Sequence, residues 1–368
     1  MVTASRRVGS GRSRRAGSDR RVPSVQLIDA DDVVVADLLA ALLELVAEAG
    51  GWLNPQARLV ERGGELSVEC SAPAGEPLVI IPRDVMVRVG AVDWTVRAGI
   101  LEIQGLPDDM EGIEREVLFL MVGILNQCGK PMALASSHPV LAPAMDPALV
   151  DAVRAFRPSF RRTPPSIESL LWSTRCFRGS SDAPAPLAVP VIDLLNHSCA
   201  APGATPQGGG LAVTTWRDGQ ECFIDYGHRR DAISMAIVYG FADTSAVVAH
   251  SAPLEVEVAG LGRVVVSARG RSSSGALQPV AARVEDDATV LSRVSFGPDW
   301  DPVSDVRRAT GWSDGESRLA VDAIAAANLE LIRALKQAAT AVTLDDSAAR
   351  RTLAEAASIQ ARLIAADR

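Results

Sequence analysis

Apolar side chains recur at helical spacing through residues 30–49 (Val34, Leu38, Leu39, Leu42, Leu45 and Val46), behind Asp31-Asp32 and ahead of Gly50-Gly51. That spacing predicts a capped amphipathic helix. Arg58–Val60, Leu66–Glu69 and Leu78–Ile81 predict three short strands, separated by Gly63-Gly64 and Ala74-Gly75 and closed by Pro82. From about Asp84 to Thr163 the pattern turns helical, most clearly over Ile113–Leu125, with prolines at 139, 143, 147, 158, 164 and 165. Strands resume at Leu187–Leu195, Leu211–Trp216 and Glu221–Asp225, and a helix over Asp231–Tyr239 stops at Gly240. A helical block is thus expected to interrupt a β region. Beyond His250 the pattern gives strands at Leu254–Val258 and Arg263–Ser267, a loop over Arg269–Ala276, and two long Ala-rich helices, Glu316–Val342 and Ser347–Ala366. Asp345-Asp346-Ser347 offers capping chemistry to the second, and Val321, Ile324, Leu329, Ile332 and Leu335 form one stripe on the first. The pair is expected to form a helical hairpin packed on a core.

Composition sharpens this. With 368 residues at 48% hydrophobic, the chain can bury a full core, and its length favours two domains. Apolar runs such as Val33–Val46 are interrupted by Asp37 and Glu44, short of the ~20 residues a membrane span needs. Residues 1–21 hold seven arginines and one acid among Gly and Ser, the composition of a solvated, disordered basic tail; no apolar region follows Arg6-Arg7 to make it an export signal. The remaining 30 basic and 44 acidic residues leave a body of net charge −14, which argues against phosphate-mediated nucleic-acid binding and permits a basic peptide partner. Five cysteines without C-x-x-C spacing suggest reduced thiols in a cytoplasm, with neither a disulfide framework nor a metal site. Arginine outnumbers lysine 35 to 2 and alanine is abundant, a bacterial, GC-rich signature.

Candidate chemistry concentrates between Val189 and Asp243. The chain's only tyrosines, Tyr226 and Tyr239, lie there, 13 residues apart and downstream of Asn196-His197. There is no Gly-x-Ser-x-Gly elbow and no ligand cluster of metal-site spacing. An isolated Asn-His pair serves as readily in a packed turn as in catalysis, so the ordered combination carries the signal.

That combination comprises Gly63-Gly64-Glu65-Leu66, Gly75-Glu76-Pro77-Leu78-Val79-Ile80-Ile81-Pro82, Trp172-Ser173-Thr174-Arg175-Cys176-Phe177, Asp193-Leu194-Leu195-Asn196-His197-Ser198, Gly219-Gln220-Glu221-Cys222-Phe223-Ile224-Asp225-Tyr226-Gly227 and Tyr239-Gly240-Phe241. In this order it resembles the SET-domain methyltransferases, in the branch of the Rubisco large-subunit lysine methyltransferase and the actin histidine methyltransferase. The resemblance covers about residues 50–245. It implies an α+β SET fold, with small β-sheets and a knot-like crossing, over residues 25–250. A helical insert would occupy about 91–163, residues 1–24 would form the tail, and 251–368 a mostly helical substrate-docking domain.

The resemblance also implies roles. S-adenosyl-L-methionine would be held by Gly63, Gly64, Glu65, Leu66, Arg175, Asp193, Asn196, His197 and Tyr226, with Arg175 facing its carboxylate. Tyr226 would be catalytic, and Tyr239 and Phe241 would wall the substrate channel. The activity implied is N-methylation of a lysine, or else a histidine, on a protein or peptide, with no metal, nucleic acid or membrane. Two departures fall on the expected cofactor side. Glu65 replaces the second glycine of G-x-G-L, and Arg230-Asp231 replaces the Ser-Asn pair after Tyr-Gly. They raise an alternative, a catalytically inactive SET-like module that binds a peptide or protein. A Cys199–His197 hydrolase is a third reading.

Overall fold

The computed structural model describes residues 27–141, 145–161, 163, 165–178, 186–217, 220–226, 230–267, 279–341 and 347–366. The basic tail, Gly219, Gly227, the whole Arg269–Ala276 loop and Asp345-Asp346 lie outside them. The fold is α+β, with several small sheets and nine helices among the described residues. Helix α1 (Val33–Glu48) opens on Asp32, whose carboxylate accepts from the Val34 and Val35 amides, and buries Val35, Leu39, Leu42, Leu43 and Val46. Each such side chain contributes about 1.5–3 kcal/mol when fully buried.

Two four-stranded sheets pack in this first core. One runs Ile28–Ala30, Ala57–Arg62, Glu65–Cys70, Gln220–Glu221, and the other Thr205–Gln207, Gly210–Thr214, Pro77–Ile81, Trp52–Leu53. The strands expected around 58–60, 66–69 and 78–81 are therefore present, each slightly longer. Gly63 and Gly64 (φ 56° and 85°) turn the hairpin between the central strands of the first sheet. Glu61 pins it: its buried carboxylate accepts from the amides of Asp31, Asp32 and Gly64. The Gly64 bond is the main cause holding the Glu61 carboxyl below its usual range.

The region expected to be helical from residue 84 instead begins with two short 3₁₀ turns and a β-hairpin, Asp93–Arg97 with Ile100–Gly105. The alternation Trp94-Thr95-Val96 and the left-handed pair Ala98-Gly99 (φ 49° and 79°) account for it. Helices α2 (Gly112–Gln127), α3 (Lys130–Ser137), α4 (Pro147–Phe156) and α5 (Ile167–Arg175) follow. No single described helix is long and apolar enough to cross a membrane.

The strand expected over 187–195 is also corrected. Pairing stops at Ala188, and Ile192–Leu194 forms a 3₁₀ turn, because Pro190 lacks an amide hydrogen and Val191 sits at φ 67°. Asn196–His197 then pairs in parallel with Phe223–Ile224, which brings two segments of the motif region side by side. Helix α6 (Ala232–Tyr239) ends at left-handed Gly240.

A second core joins α4, α6 and the C-terminal region. Leu254–Val258 and Gly262–Val266 extend into a four-stranded sheet with Ala288–Leu291 and Ala282–Glu285, strands not read from the sequence. Helix α7 (Pro302–Thr310) was also unread, although Asp301 caps it and Gly311 ends it. The long hairpin is α8 (Asp314–Thr340), opened by a Ser313/Glu316 capping box, and α9 (Ala348–Ala366).

Candidate active site

His197, Tyr226, Tyr239 and Phe241 come from the parallel pair, the segment after it and the end of α6, and they gather into one aromatic cluster. The Tyr226 ring centroid lies 5.1 Å from His197, 5.2 Å from Tyr239 and 6.5 Å from Phe241. Phe241 closes the group at 6.0 Å from His197 and 6.3 Å from Tyr239. Residues as far as 44 positions apart in sequence (197 to 241) thus form one wall.

The Tyr226 hydroxyl donates to the Leu195 carbonyl at 2.8 Å. Burial pushes its pKa up to about 12, so at neutral pH the phenol stays protonated and serves as a dipole, not as a base. His197 is fixed from both sides. Its Nδ1 accepts from the Tyr226 amide at 3.0 Å, which leaves the proton on Nε2, 3.1 Å from the buried Asp243 carboxylate. Asp243 also accepts from the Ser245 amide and hydroxyl. This buttress was missed in the sequence, where the signal was a lone acid in an otherwise small and apolar run after Tyr-Gly-Phe.

The same bonds dispose of the hydrolase reading. Both His197 nitrogens are committed elsewhere, and the Cys199 thiol donates to the Ser245 carbonyl. Burial raises the Cys199 pKa further, against forming a thiolate.

Asn196 projects from the pair with its amide nitrogen 2.6 Å from Glu221 and 3.4 Å from the Leu66 carbonyl. Leu66 itself is core. Arg175, the last residue of α5, donates to the Asp193 carbonyl at 3.2 Å and stands 3.9 Å from its carboxylate. That carboxylate is wholly buried, and its Oδ1 has no hydrogen-bond partner. Burial raises its pKa to about 6, with Arg175 opposing the shift. An acid whose folded pKa exceeds its unfolded value of about 3.8 destabilises the fold when ionised, so this group favours folding more as pH falls from 7 towards 4. Asp193→Asn is expected to raise the melting midpoint at pH 7–8 and to flatten its rise on acidification. A variant that melts lower than the parent at pH 8 would show that the ionised carboxylate is needed by Arg175.

Gly63 and Gly64 border an open cleft of about 540 Å³, shared with Asp31, Asp32, Glu61 and Gln127. A Cβ on Gly63 would meet nothing within 4 Å, whereas one on Gly64 would lie 2.9 Å from the Cys128 carbonyl. Gly64 therefore has a packing reason of its own, beyond any ligand. Glu65 turns outward: its carboxylate, on a side chain 83% exposed, pairs with Lys130 at 2.6 Å. Lys130, 12% exposed, was not read from the sequence as part of this region. Asp231 caps α6, accepting from the Ser234 amide at 2.7 Å and its hydroxyl at 3.1 Å. Asp and Asn are equivalent caps, so this departure is a structural synonym.

Among the described residues no group of three or more His, Cys, Asp or Glu side chains is placed to hold a metal ion. No family model matches the sequence, and no curated protein matches it. Among solved structures, the SET domain of LSMT bound to lysine and AdoHcy is similar at 10% identity and TM-score 0.43, over 90% of each chain. Rubisco LSMT bound to sinefungin and monomethyllysine is similar at 12% identity and TM-score 0.44, over 94% of this chain and 90% of that one. The likeness is one of broad outline.

Proposed function

We propose that this chain is an S-adenosyl-L-methionine-dependent N-methyltransferase acting on a lysine side chain of a protein or peptide. The observation that carries the reading is the convergence of Tyr226, Tyr239, Phe241 and His197 into one cluster, bounded by Asn196 and backed by Arg175 and Asp193. When bound, the cofactor supplies a methyl group activated by a sulfonium.

The residues present fit such a ligand. Arg175 has only long contacts to Asp193 and keeps unused donors for a carboxylate. Gly63 and Gly64 leave backbone exposed to an open cleft, and Glu65 is drawn off by Lys130 rather than filling it. The outward Glu65 and the capping role of Asp231 weigh against the inactive alternative.

The chain's own task is alignment. The Tyr226 hydroxyl spends its proton on Leu195, so its remaining lone pairs are free to accept from an incoming amine. Tyr239 and Phe241 flank the alkyl chain with ring faces. The amine, whose ordinary pKa is about 10.4, loses its proton to water, aided by desolvation among these rings. No carboxylate need act as base.

Incubating the full chain with methyl-labelled cofactor and bacterial lysate is expected to label a discrete protein on lysine. If no label is transferred and calorimetry detects no cofactor binding, the binding-module alternative takes its place.

A further inference from the structure

Arg230 lies immediately before α6 with its guanidinium carbon 5.2 Å from the Tyr239 ring centroid. Its Nε is buried and has no hydrogen-bond partner. Arg157, the C-cap of α4, is exposed, yet partial burial of its charge and the nearby charge of Arg230 both lower its pKa. Arg161 is held at φ 54°, its Nε is likewise buried without a partner, and burial lowers its pKa. Among the described residues no carboxylate pairs with any of the three. Other arginines do meet an acid, among them Arg62, Arg88, Arg154 and Arg350. A guanidinium that lies on a ring of the aromatic cluster with its Nε buried and unpartnered, and with a second positive charge near it, points to an anion supplied from outside.

Resting on the lysine methyltransferase reading, we infer that Arg230 and Arg157 select a peptide substrate carrying Asp or Glu close to its target lysine. A guanidinium lying on a ring face keeps its in-plane N–H groups for a carboxylate, which it grips with two parallel bonds. The Tyr239 ring centroid lies 5.2 Å from the Arg230 guanidinium carbon and 5.2 Å from the Tyr226 ring centroid, so Arg230 and the Tyr226 ring are no further apart than the sum of the two. At about 3.3–3.6 Å per extended residue, an acid within about three positions of the lysine reaches Arg230 while the amine reaches Tyr226. His138, packed beneath Gly240, adds no charge there at neutral pH, because burial lowers its pKa to about 4. The selectivity is thus opposite to the basic-peptide preference that the acidic body permits.

The test measures fluorescence anisotropy of three labelled heptapeptides with a central lysine, flanked by Glu, Gln or Arg, on the full chain with S-adenosylhomocysteine present. A second set replaces the lysine by norleucine. The Glu peptide is expected to bind at least about tenfold more tightly than the Gln peptide, with the Arg peptide weakest. Arg230→Gln should narrow the Glu-to-Gln ratio to about threefold or less, and Arg157→Gln, at an exposed position, should narrow it too. Equal binding of the three, no binding of the Glu peptide at about millimolar concentration, or a ratio that survives both substitutions overturns the inference. Methyl transfer is read separately: transfer without acid preference sinks only the selectivity. Acid preference that persists with norleucine, but with no transfer from labelled cofactor to any lysine peptide, sinks only the enzymatic reading.

Discussion

Tyr226→Phe should lower single-turnover methyl transfer by about a hundredfold while leaving cofactor affinity within about twofold, since the loss is of alignment and not of binding surface. The substitution deletes one oxygen. The ring keeps its contacts with His197, Tyr239 and Phe241, and the Tyr226 amide keeps its bond to His197. What disappears is the hydroxyl that donates to Leu195, and the cost to stability is that of one hydrogen bond, about 1 kcal/mol. Rapid-quench kinetics, calorimetry and thermal melts separate the three effects. Undiminished turnover would remove Tyr226 from the chemistry. A collapse of the melting midpoint would instead show that the hydroxyl is chiefly a structural brace.

A fragment ending at residue 250 is expected not to fold cooperatively, the largest stability effect anticipated for this chain. Helix α6, which delivers Tyr239, is sheathed by α9. Gln360 accepts from the Ile233 amide at 3.2 Å and donates to the His250 carbonyl at 3.1 Å. Ile233, Ala236 and Ile237 share the second core with Leu353, Ala357 and Ile364. Arg350 of α9 pairs with Asp146 at the start of α4, and Asn328 of α8 accepts from the Ala252 amide. Uncovering even four large aliphatic side chains at about 1.5–3 kcal/mol each consumes the 5–15 kcal/mol by which domains are usually stable. Calorimetry of the fragment should show no sharp transition. A fragment that melts cooperatively and binds cofactor, yet loses its protein substrate, would assign residues 251–368 to docking alone.

Much of this arrangement was legible in the sequence where local chemistry and tertiary demand agree. Asp31-Asp32 before a 3.6-residue stripe could only open a helix, and Gly63-Gly64 between alternating runs marked a hairpin. The candidate site residues were picked by order and type. Their mutual contacts were not, since Asp243 reaches His197 across 46 residues and Lys130 reaches Glu65 across 65. The errors have local causes as well. Val191 at positive φ breaks a run that reads as a continuous strand, and the hairpin at 93–105 hides inside a block whose later part is strongly helical. The sheet over 254–291 was half seen, because its strand Ala282–Glu285 is almost wholly exposed and carries no apolar alternation.

The Glu65–Lys130 pair has a practical corollary. Lys130 and Lys336 are the chain's only lysines. One is sheltered and engaged with a carboxylate, and the other stands exposed on α8. Were the chain a lysine modifier, it would offer itself scarcely any target. Label appearing in an assay could then be ascribed to added protein with little background from automodification. Amine-directed coupling at mildly alkaline pH should attach dyes or surfaces mainly at Lys336 and the chain terminus, leaving the cleft untouched for ligand titrations.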